Sequence, residues 1–393
     1  MSQPLSDQTI ALVKATVPAL EAHCLDIVHE MYSRMFQNPE IRDLFNQSHH
    51  GDAGSQPRAL TGAILAYASN IDNLGALAPA VERIAQKHVG LQILPEHYPY
   101  VGEALLGAIK AVLGDTATEE ILEAWGEAYW FLADTLIERE AAIYAESAAK
   151  PGGWAGWRRF RVVAKTPETP EIMSLILRPV DGGPVSEHRP GQYLSFRFTP
   201  SESEEYRRNY SISSAPNNVS YRITVKRETE GRISNWLHDA VEIGTEFDVA
   251  APAGEFFLDP ANKREVVLLS GGVGFTPMMS MLESYGGGDT KIVYVHAVRD
   301  QQSHAMPQAA LARANESHVF YENPTDGALP QGAYSGRVDP EWLVKISDPA
   351  TADYFVCGPV GFMQAMVQGL KAANVPDTRI HYEFFGPAAA QVG

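Results

Sequence analysis

The stretch Glu265-Val266-Val267-Leu268-Leu269-Ser270-Gly271-Gly272-Val273-Gly274-Phe275-Thr276-Pro277 passes from an unbroken apolar run into a glycine-rich turn and then a helix start. A run of this composition is a strand buried on both faces, the pattern of a parallel sheet. Gly271, Gly272 and Gly274 let the backbone approach a pyrophosphate closely, and the helix that begins near Val273, Phe275 and Thr276 turns its N-terminus toward it. Two further strands, 291–297 and 353–357, alternate with helical runs, as a doubly wound α/β sheet requires. The second ends in Cys357-Gly358-Pro359-Val360-Gly361, a strand-to-helix turn at the sheet edge where ligands bind in this architecture. Residues 263–393 therefore read as a nucleotide-binding α/β domain.

Working back from there, Lys150-Pro151-Gly152-Gly153-Trp154 marks a change of composition. Turn residues then bound short alternating runs at 159–165, 172–178, 193–198, 221–227 and 246–250, which predicts a small antiparallel β-barrel over 151–262. A short helix begins at 231–234, and the N–H groups and dipole near Ser234 suit a phosphate. Arg208-Asn209-Tyr210-Ser211 follows Pro190-Gly191-Gln192-Tyr193. A flavin needs an aromatic side chain against its ring, hydrogen bonds at N5 and O4, and cations at its pyrophosphate. Tyr210, Ser211 and Arg208 offer these in the alternation of a strand, with Asn209 facing opposite to Tyr210. Taken alone, the four residues read equally well as a barrel strand with a surface arginine.

Residues 1–150 are helical almost throughout, with breaks at Asn38-Pro39, at 49–57, at 75–79, at Leu94-Pro95 and at Gly114-Asp115. This predicts an all-α unit closed by a long last helix. In Pro79 to Val89, Val81, Ile84, Ala85 and His88 recur at helical spacing, so one apolar stripe carries an imidazole at its C-terminal end. A histidine so placed is ordinarily a hydrogen-bonded core or surface residue. Tyr32 sits among Ile27, Val28, Met31, Met35 and Phe36, where a buried hydroxyl must find a partner. Gln56 opens a helix, Tyr98 follows Leu94-Pro95-Glu96-His97, and Lys87 and Glu140 read by default as solvated helix charges.

At 393 residues the chain is too long for one ordinary core and suits two or three domains. The formal net charge of −17 makes nucleic acid and anionic membrane poor partners. The opening residues are interrupted by Asp7, Lys14 and Pro18, which predicts neither a signal peptide nor a spanning helix and makes the cytosol the default location. Only Cys24 and Cys357 are present, too few for a disulfide framework or a cysteine-built metal site. A bound metal must therefore be held by histidine.

Met31-Tyr32-Ser33-Arg34-Met35-Phe36, Pro39 with Phe45, and Ile84-Ala85-Gln86-Lys87-His88 resemble the distal helix, the corner over the haem and the proximal helix of a bacterial globin. The flavin and glycine motifs resemble the FAD and NAD(P) domains of ferredoxin-reductase-like proteins, and over nearly its whole length the chain resembles the flavohaemoglobins. The resemblance implies haem b, FAD and NADH or NADPH as cofactors, with His88 the axial iron ligand. It places Tyr32, Gln56 and Leu60 on the gas side, and makes Tyr98 and Glu140 the pair that hydrogen-bonds the ligand histidine. Tyr193, Arg208, Asn209, Tyr210, Ser211 and Ser234 go to FAD, as does the returning segment Phe384-Phe385-Gly386-Pro387. Lys87 becomes a modulator of haem potential, and Glu383 is expected between flavin and haem.

The implied activity is nitric oxide dioxygenation: NAD(P)H reduces FAD, FAD reduces haem, and haem-bound O2 converts nitric oxide to nitrate. The rival is an oxygen-binding or sensing globin whose reductase only maintains ferrous iron, and reduction of free ferric iron or dyes is a side activity. No obligatory protein partner and a monomer are expected. Two positions depart from the family pattern: Pro57 directly after Gln56, and Phe275 where many relatives carry a polar residue. No acidic residue marks an NAD ribose and Arg299 suits a 2′-phosphate, so both nicotinamides stay open.

Overall fold

The structure, a computed structural model, describes residues 4–45, 55–201, 204–261, 263–325 and 327–385, without the side chains of Ser55 and Gln56. The chain falls into two compact units whose main boundary lies between Ala148 and Ala149.

The first unit is helical: α1 (Asp7–Ala15), α2 (Val17–Met35), α3 (Pro39–Arg42), α4 (Ser55–Ser69), α5 (Ala78–Leu91), α6 (Tyr98–Leu113) and α7 (Glu119–Ala149). Local chemistry sets the boundaries. Ser6 Oγ accepts the Thr9 N–H at 3.0 Å, Asn38 Oδ1 accepts that of Glu40 at 2.9 Å ahead of Pro39, and Thr118 Oγ1 accepts that of Ile121. Leu20, Cys24, Ile27, Val28, Met31 and Met35 of α2 form one buried stripe in the larger core, which also holds Ile64, Tyr67, Leu105, Ile109 and Trp125. A second core, of Ala85, Val89, Tyr98, Ala133, Leu136 and Ile143, lies where α5, α6 and α7 meet.

The end of α5 is fixed by its own backbone. Gln92 takes a left-handed conformation (φ 58°), its N–H donates to the Val89 carbonyl, and the Ile93 N–H donates to that of His88 at 2.9 Å. A non-glycine residue there costs about 1 kcal/mol, partly offset because the Gln92 side chain donates to the Val89 carbonyl at 2.8 Å. The last turn, which carries His88, is thereby held.

Two sheets follow the helices in the chain. Strands β1 (Arg158–Pro167), β2 (Ile172–Pro179), β3 (Tyr193–Ser201), β4 (Glu204–Ser211), β5 (Tyr221–Lys226) and β6 (Glu246–Val249), with helix α8 (Arg232–Asp239), form a sheet in the order β4-β3-β6-β1-β2-β5. An antiparallel bridge between Ile212 and Ile223 joins the end of β4 to β5 and curls the sheet toward closure. Strand β4 is absent from the alternating runs expected of the barrel. Its residues Glu204 to Asn209 are charged or polar on both faces, so no apolar period marks it.

The remaining elements are β7 (Glu265–Gly271), α9 (Phe275–Tyr285), β8 (Lys291–Val298), α10 (Pro307–Leu311), β9 (Glu316–Tyr321), β10 (Ala333–Ser335), α11 (Pro340–Ile346), β11 (Asp353–Cys357), α12 (Val360–Ala372) and β12 (Ile380–Glu383). They build a parallel sheet in the order β10-β9-β8-β7-β11-β12. The three strands expected here are its centre, and β9, β10 and β12 are additional. The chain adds β8, β9 and β10 on one side of β7 and then crosses to place β11 on the other. The switch point is thus between β7 and β11, at the carboxyl ends of both strands, where this architecture opens a ligand crevice. Among the described residues, no helix is long and apolar enough to cross a membrane.

Candidate functional site

In the helical unit the structure brings together three residues that lie far apart in sequence. His88 Nδ1, in the last turn of α5, is 2.7 Å from Glu140 Oε1 on α7 and 3.1 Å from the Tyr98 hydroxyl at the start of α6. Tyr98 donates its proton to the same Glu140 oxygen at 2.6 Å. The carboxylate is an acceptor, so the Nδ1 proton points to it and the lone pair stays on Nε2. Tyr98 is 5% exposed and Glu140 is 2% exposed, so Glu140 is not the solvated helix charge its sequence suggested. Burial first, and then the Glu140 hydrogen bond, push the Tyr98 hydroxyl well above the ordinary tyrosine range, which keeps it a donor. The Tyr129 hydroxyl, donating to the Tyr98 carbonyl at 2.6 Å, fixes the start of α6.

Among the described residues, Nε2 of His88 makes no hydrogen bond, and the imidazole side chain is 30% exposed. One nitrogen fixed by a carboxylate and the other presented outward is the donor arrangement that suits a haem iron. Tyr32 is 8% exposed, with its ring 5.4 Å from Phe36 and edge-on to Phe45 at 5.7 Å. Burial raises its hydroxyl pKa, so it too stays protonated. Leu60 packs on the same core as Tyr32, Pro57 is buried and Lys87 is half-buried. Gln56 occupies the first turn of α4, and its side chain lies outside the described residues.

In the second unit, Gly191 takes a φ of 113°, and an added Cβ would meet the Phe256 carbonyl oxygen at 2.4 Å. Only glycine fits there. It delivers Gln192, whose Oε1 accepts the Arg189 N–H and whose Nε2 donates to the Gly254 carbonyl. Tyr193 follows, 8% exposed, and its hydroxyl is a buried polar atom with no hydrogen-bond partner among the described residues. A polar tip buried without a partner is what a bound polar ring edge satisfies, so the barrel fits a flavin. The Ile212 N–H donates to the Gln192 carbonyl at 2.9 Å and sets Ser211 beside Tyr193. Tyr210 lies edge-on to Phe196 at 5.8 Å, Arg208 is half-buried over the Tyr206 ring, and Asn209 is exposed.

Ser234 stands three residues into α8, but its hydroxyl donates to the Gly231 carbonyl and accepts the Glu228 N–H. The hydroxyl holds the loop, and what remains for a phosphate is the backbone N–H of the first helical turn.

At the switch point the two strand-to-helix turns touch. A Cβ on Gly274 would lie 2.2 Å from the Cys357 carbonyl oxygen, whereas one on Gly272 (φ 51°) would meet nothing within 4 Å. The turn therefore has one face packed and one face open, as close approach by a pyrophosphate needs. Val273 is half-buried. Phe275 (1% exposed) and Thr276 point inward, Phe275 edge-on to His296 and Thr276 donating to the Val273 carbonyl. Those two side chains shape the turn from behind. Cys357 is a buried thiol, with burial first and then the Glu383 charge holding its pKa well up. Glu383 ends β12 in register with Cys357, and its charge also acts on Tyr193. The crevice edge and the barrel site are thus neighbours. Phe384 is half-buried and Phe385 exposed, while Gly386 and Pro387 lie outside the described residues.

Sequence reasoning missed the residues that hold these groups: Tyr129, Gln92, Gln192 and Gly254. Gln192 alone carried a signal, as part of Pro190-Gly191-Gln192-Tyr193.

A globin family model matches residues 29–136, an oxidoreductase FAD-binding domain 159–258 and an oxidoreductase NAD-binding domain 268–368. A flavohemoprotein of Xylella fastidiosa (strain 9a5c) is 48% identical over 394 residues, covering 98% of each chain. The crystal structure of a flavohemoglobin from Malassezia yamatoensis with bound FAD and heme superposes with a TM-score of 0.85 at 28% identity, covering 98% of this chain and 100% of that one. The FAD/NAD-binding domain of a nitric oxide dioxygenase from Vibrio cholerae is 34% identical, with a TM-score of 0.53, covering 58% of this chain and 99% of its own.

Proposed function

The chain belongs to the flavohemoprotein family, and from that premise we propose that it is an NAD(P)H-dependent nitric oxide dioxygenase. The overall reaction consumes two nitric oxide, two O2 and one NAD(P)H, and yields two nitrate, NAD(P)+ and one proton. When bound, haem supplies an iron with one open coordination position and FAD turns a two-electron hydride into single electrons.

His88 Nε2 is the iron ligand. The observation that carries the reading is the Glu140 oxygen 2.7 Å from His88 Nδ1 and 2.6 Å from the Tyr98 hydroxyl. A buried carboxylate on the imidazole N–H makes the ligand nitrogen more basic, which favours activating O2 over carrying it. Tyr32 offers a hydroxyl donor in apolar surroundings to the diatomic substrate, and Gln56 is the second residue assigned to the gas side. Tyr193, Arg208, Asn209, Tyr210 and Ser211 hold the flavin, together with the first turn of α8 at Ser234 and the segment from Phe384 to Pro387. Gly271 to Thr276 receive the nicotinamide dinucleotide, and Lys87 and Glu383 tune the two centres. All three modules lie on one chain, so the reaction needs no protein partner and is expected of a monomer in the cytosol, where NAD(P)H is made.

The test is sustained turnover. Purified holoprotein supplied with NADH or NADPH, O2 and nitric oxide should form nitrate over many equivalents of haem. Nitrate formation that stops after one haem equivalent would overturn the reading in favour of an oxygen-binding globin with a maintenance reductase.

A further inference from the structure

We infer that Arg139 and Glu82 form a positioning clamp that holds the ligand helix against α7 and sets the His88–Glu140 hydrogen bond. Arg139 precedes Glu140 on α7. Its Nε donates to Glu82 Oε2 at 2.6 Å and its Nη2 to Glu82 Oε1 at 3.0 Å, a two-pronged pair between α7 and α5. Gln86 Nε2, one turn further along α5, donates to the same Glu82 oxygen at 2.9 Å and locks the carboxylate rotamer. Glu82 is six residues before His88, about 9 Å along the helix axis. Beyond His88, the Tyr144 hydroxyl of α7 donates to the Ile93 carbonyl at 3.1 Å. The ligand helix is therefore tied to α7 on both sides of the histidine.

The pair is only partly screened, with Arg139 33% and Glu82 29% exposed, and the Arg139 hydrogen bond holds the Glu82 carboxyl below its usual range. An exposed ion pair adds little to global stability. What the clamp supplies is direction. The contact between His88 Nδ1 and Glu140 Oε1 joins two side chains from separate helices, and its length depends on how far α5 can slide or tilt against α7. A charge-assisted, two-pronged pair next to one of those two residues restrains that motion. Arg139 and Glu82 touch neither substrate nor iron and act through the imidazole.

The inference rests on His88 being the haem ligand, and its test separates the two. In the ferrous, ligand-free holoprotein the iron–histidine stretching band in the resonance Raman spectrum and the haem reduction potential report the strength of the hydrogen bond on Nδ1. Glu140→Gln sets the scale: it weakens that bond, and the band should fall and the potential rise. Arg139→Met and Arg139→Glu should move both readouts in the same direction, while Glu82→Arg combined with Arg139→Glu should return them toward the parent values. If Glu140→Gln itself moves neither, His88 is not the ligand and the parent reading fails. If Glu140→Gln moves them but both Arg139 variants leave them unchanged, or if the charge-swapped pair fails to restore them although Arg139→Met does shift them, the clamp is overturned. Melting temperature alone does not decide, since a purely structural pair would lower it without moving the band.

Discussion

Glu140 Oε1 accepts the Tyr98 hydroxyl at 2.6 Å and lies 2.7 Å from His88 Nδ1, so one buried oxygen serves two donors. Removing the carboxylate takes away the acceptor that Tyr98 and His88 share and leaves the buried Tyr98 hydroxyl only its longer 3.1 Å contact with His88 Nδ1, which costs about 1–3 kcal/mol. Glu140→Leu should therefore lower the thermal midpoint followed at the Soret band. Adding Tyr98→Phe to it should recover part of that loss, because removing both partners of a buried hydrogen bond is far less costly than removing one. A double variant less stable than Glu140→Leu would show that the pair is not coupled.

Tyr32 differs from phenylalanine by one hydroxyl, and its ring is already held by Phe36 and Phe45, so Tyr32→Phe should leave the fold intact. One hydrogen bond lost in a dry pocket is worth about 1–3 kcal/mol, or roughly tenfold or more in rate. Stopped-flow O2 dissociation should accelerate by that factor. An unchanged rate would remove Tyr32 from the gas side.

The turn after β7 makes opposite predictions for two glycines. Gly274→Ala places a Cβ against the Cys357 carbonyl backbone, which cannot swing aside, so the β7 and β11 turns must separate. The KM for NADH or NADPH should rise about tenfold or more, since close backbone approach at this turn is what admits the pyrophosphate. Gly272 faces open space with φ at 51°, so Gly272→Asn should cost only about 1 kcal/mol of backbone energy in the free protein. Equal effects of the two variants on KM would contradict the packed-face, open-face description.

The modules were legible in the sequence because each rests on local chemistry: an apolar strand running into glycines, turn-bounded alternation, and helical stripes. The sites were legible only in part. His88, Tyr98 and Glu140 are ten and 42 residues apart, on three helices, and nothing in their spacing shows that they meet; only the family resemblance placed them together. The default reading of Glu140 as solvated failed because a lone carboxylate in Arg139-Glu140-Ala141 looks the same whether or not a tyrosine and a histidine from elsewhere cover it. Strand β4 carried the motif read for the flavin yet showed no apolar period, since Glu204, Glu205, Arg207, Arg208 and Asn209 put charged or polar side chains on both of its faces. The Phe275 side chain packs inward behind the turn, which leaves its backbone to face a ligand, and a residue next to a glycine turn has no period from which to read that direction.

Two buried histidines and one half-buried one in the second unit give its stability a predictable pH dependence. Burial lowers His188 and His304 to about 4 and His296 to about 3, from an ordinary value near 6.5. Between about pH 6.5 and 4 the unfolded chain binds protons that the folded chain refuses, so stability is full above that window and falls as pH drops through it. Each histidine contributes a slope of up to about 1.4 kcal/mol per pH unit. Denaturant midpoints followed by flavin fluorescence should fall on acidification, and less steeply in His188→Gln. A slope identical in that variant would show that His188 titrates as freely folded as unfolded.

His88→Ala separates the work of the two units. The substitution removes the imidazole but leaves Glu140 accepting the Tyr98 hydroxyl, and His88 is itself only half-buried, so the helical unit should keep its fold. With no nitrogen to hold iron from that side, nitric oxide consumption should be abolished and the Soret band lost or shifted. Tyr193, Asn209, Tyr210, Ser211 and Gly271 to Thr276, proposed to hold the flavin and the nicotinamide, belong to the other unit, so NAD(P)H-dependent reduction of a soluble dye should continue at close to the parent rate. Loss of both activities with far-ultraviolet circular dichroism unchanged would mean that dye reduction runs through the helical unit, against the division of labour proposed for this chain. Retention of nitric oxide consumption would displace His88 as the ligand.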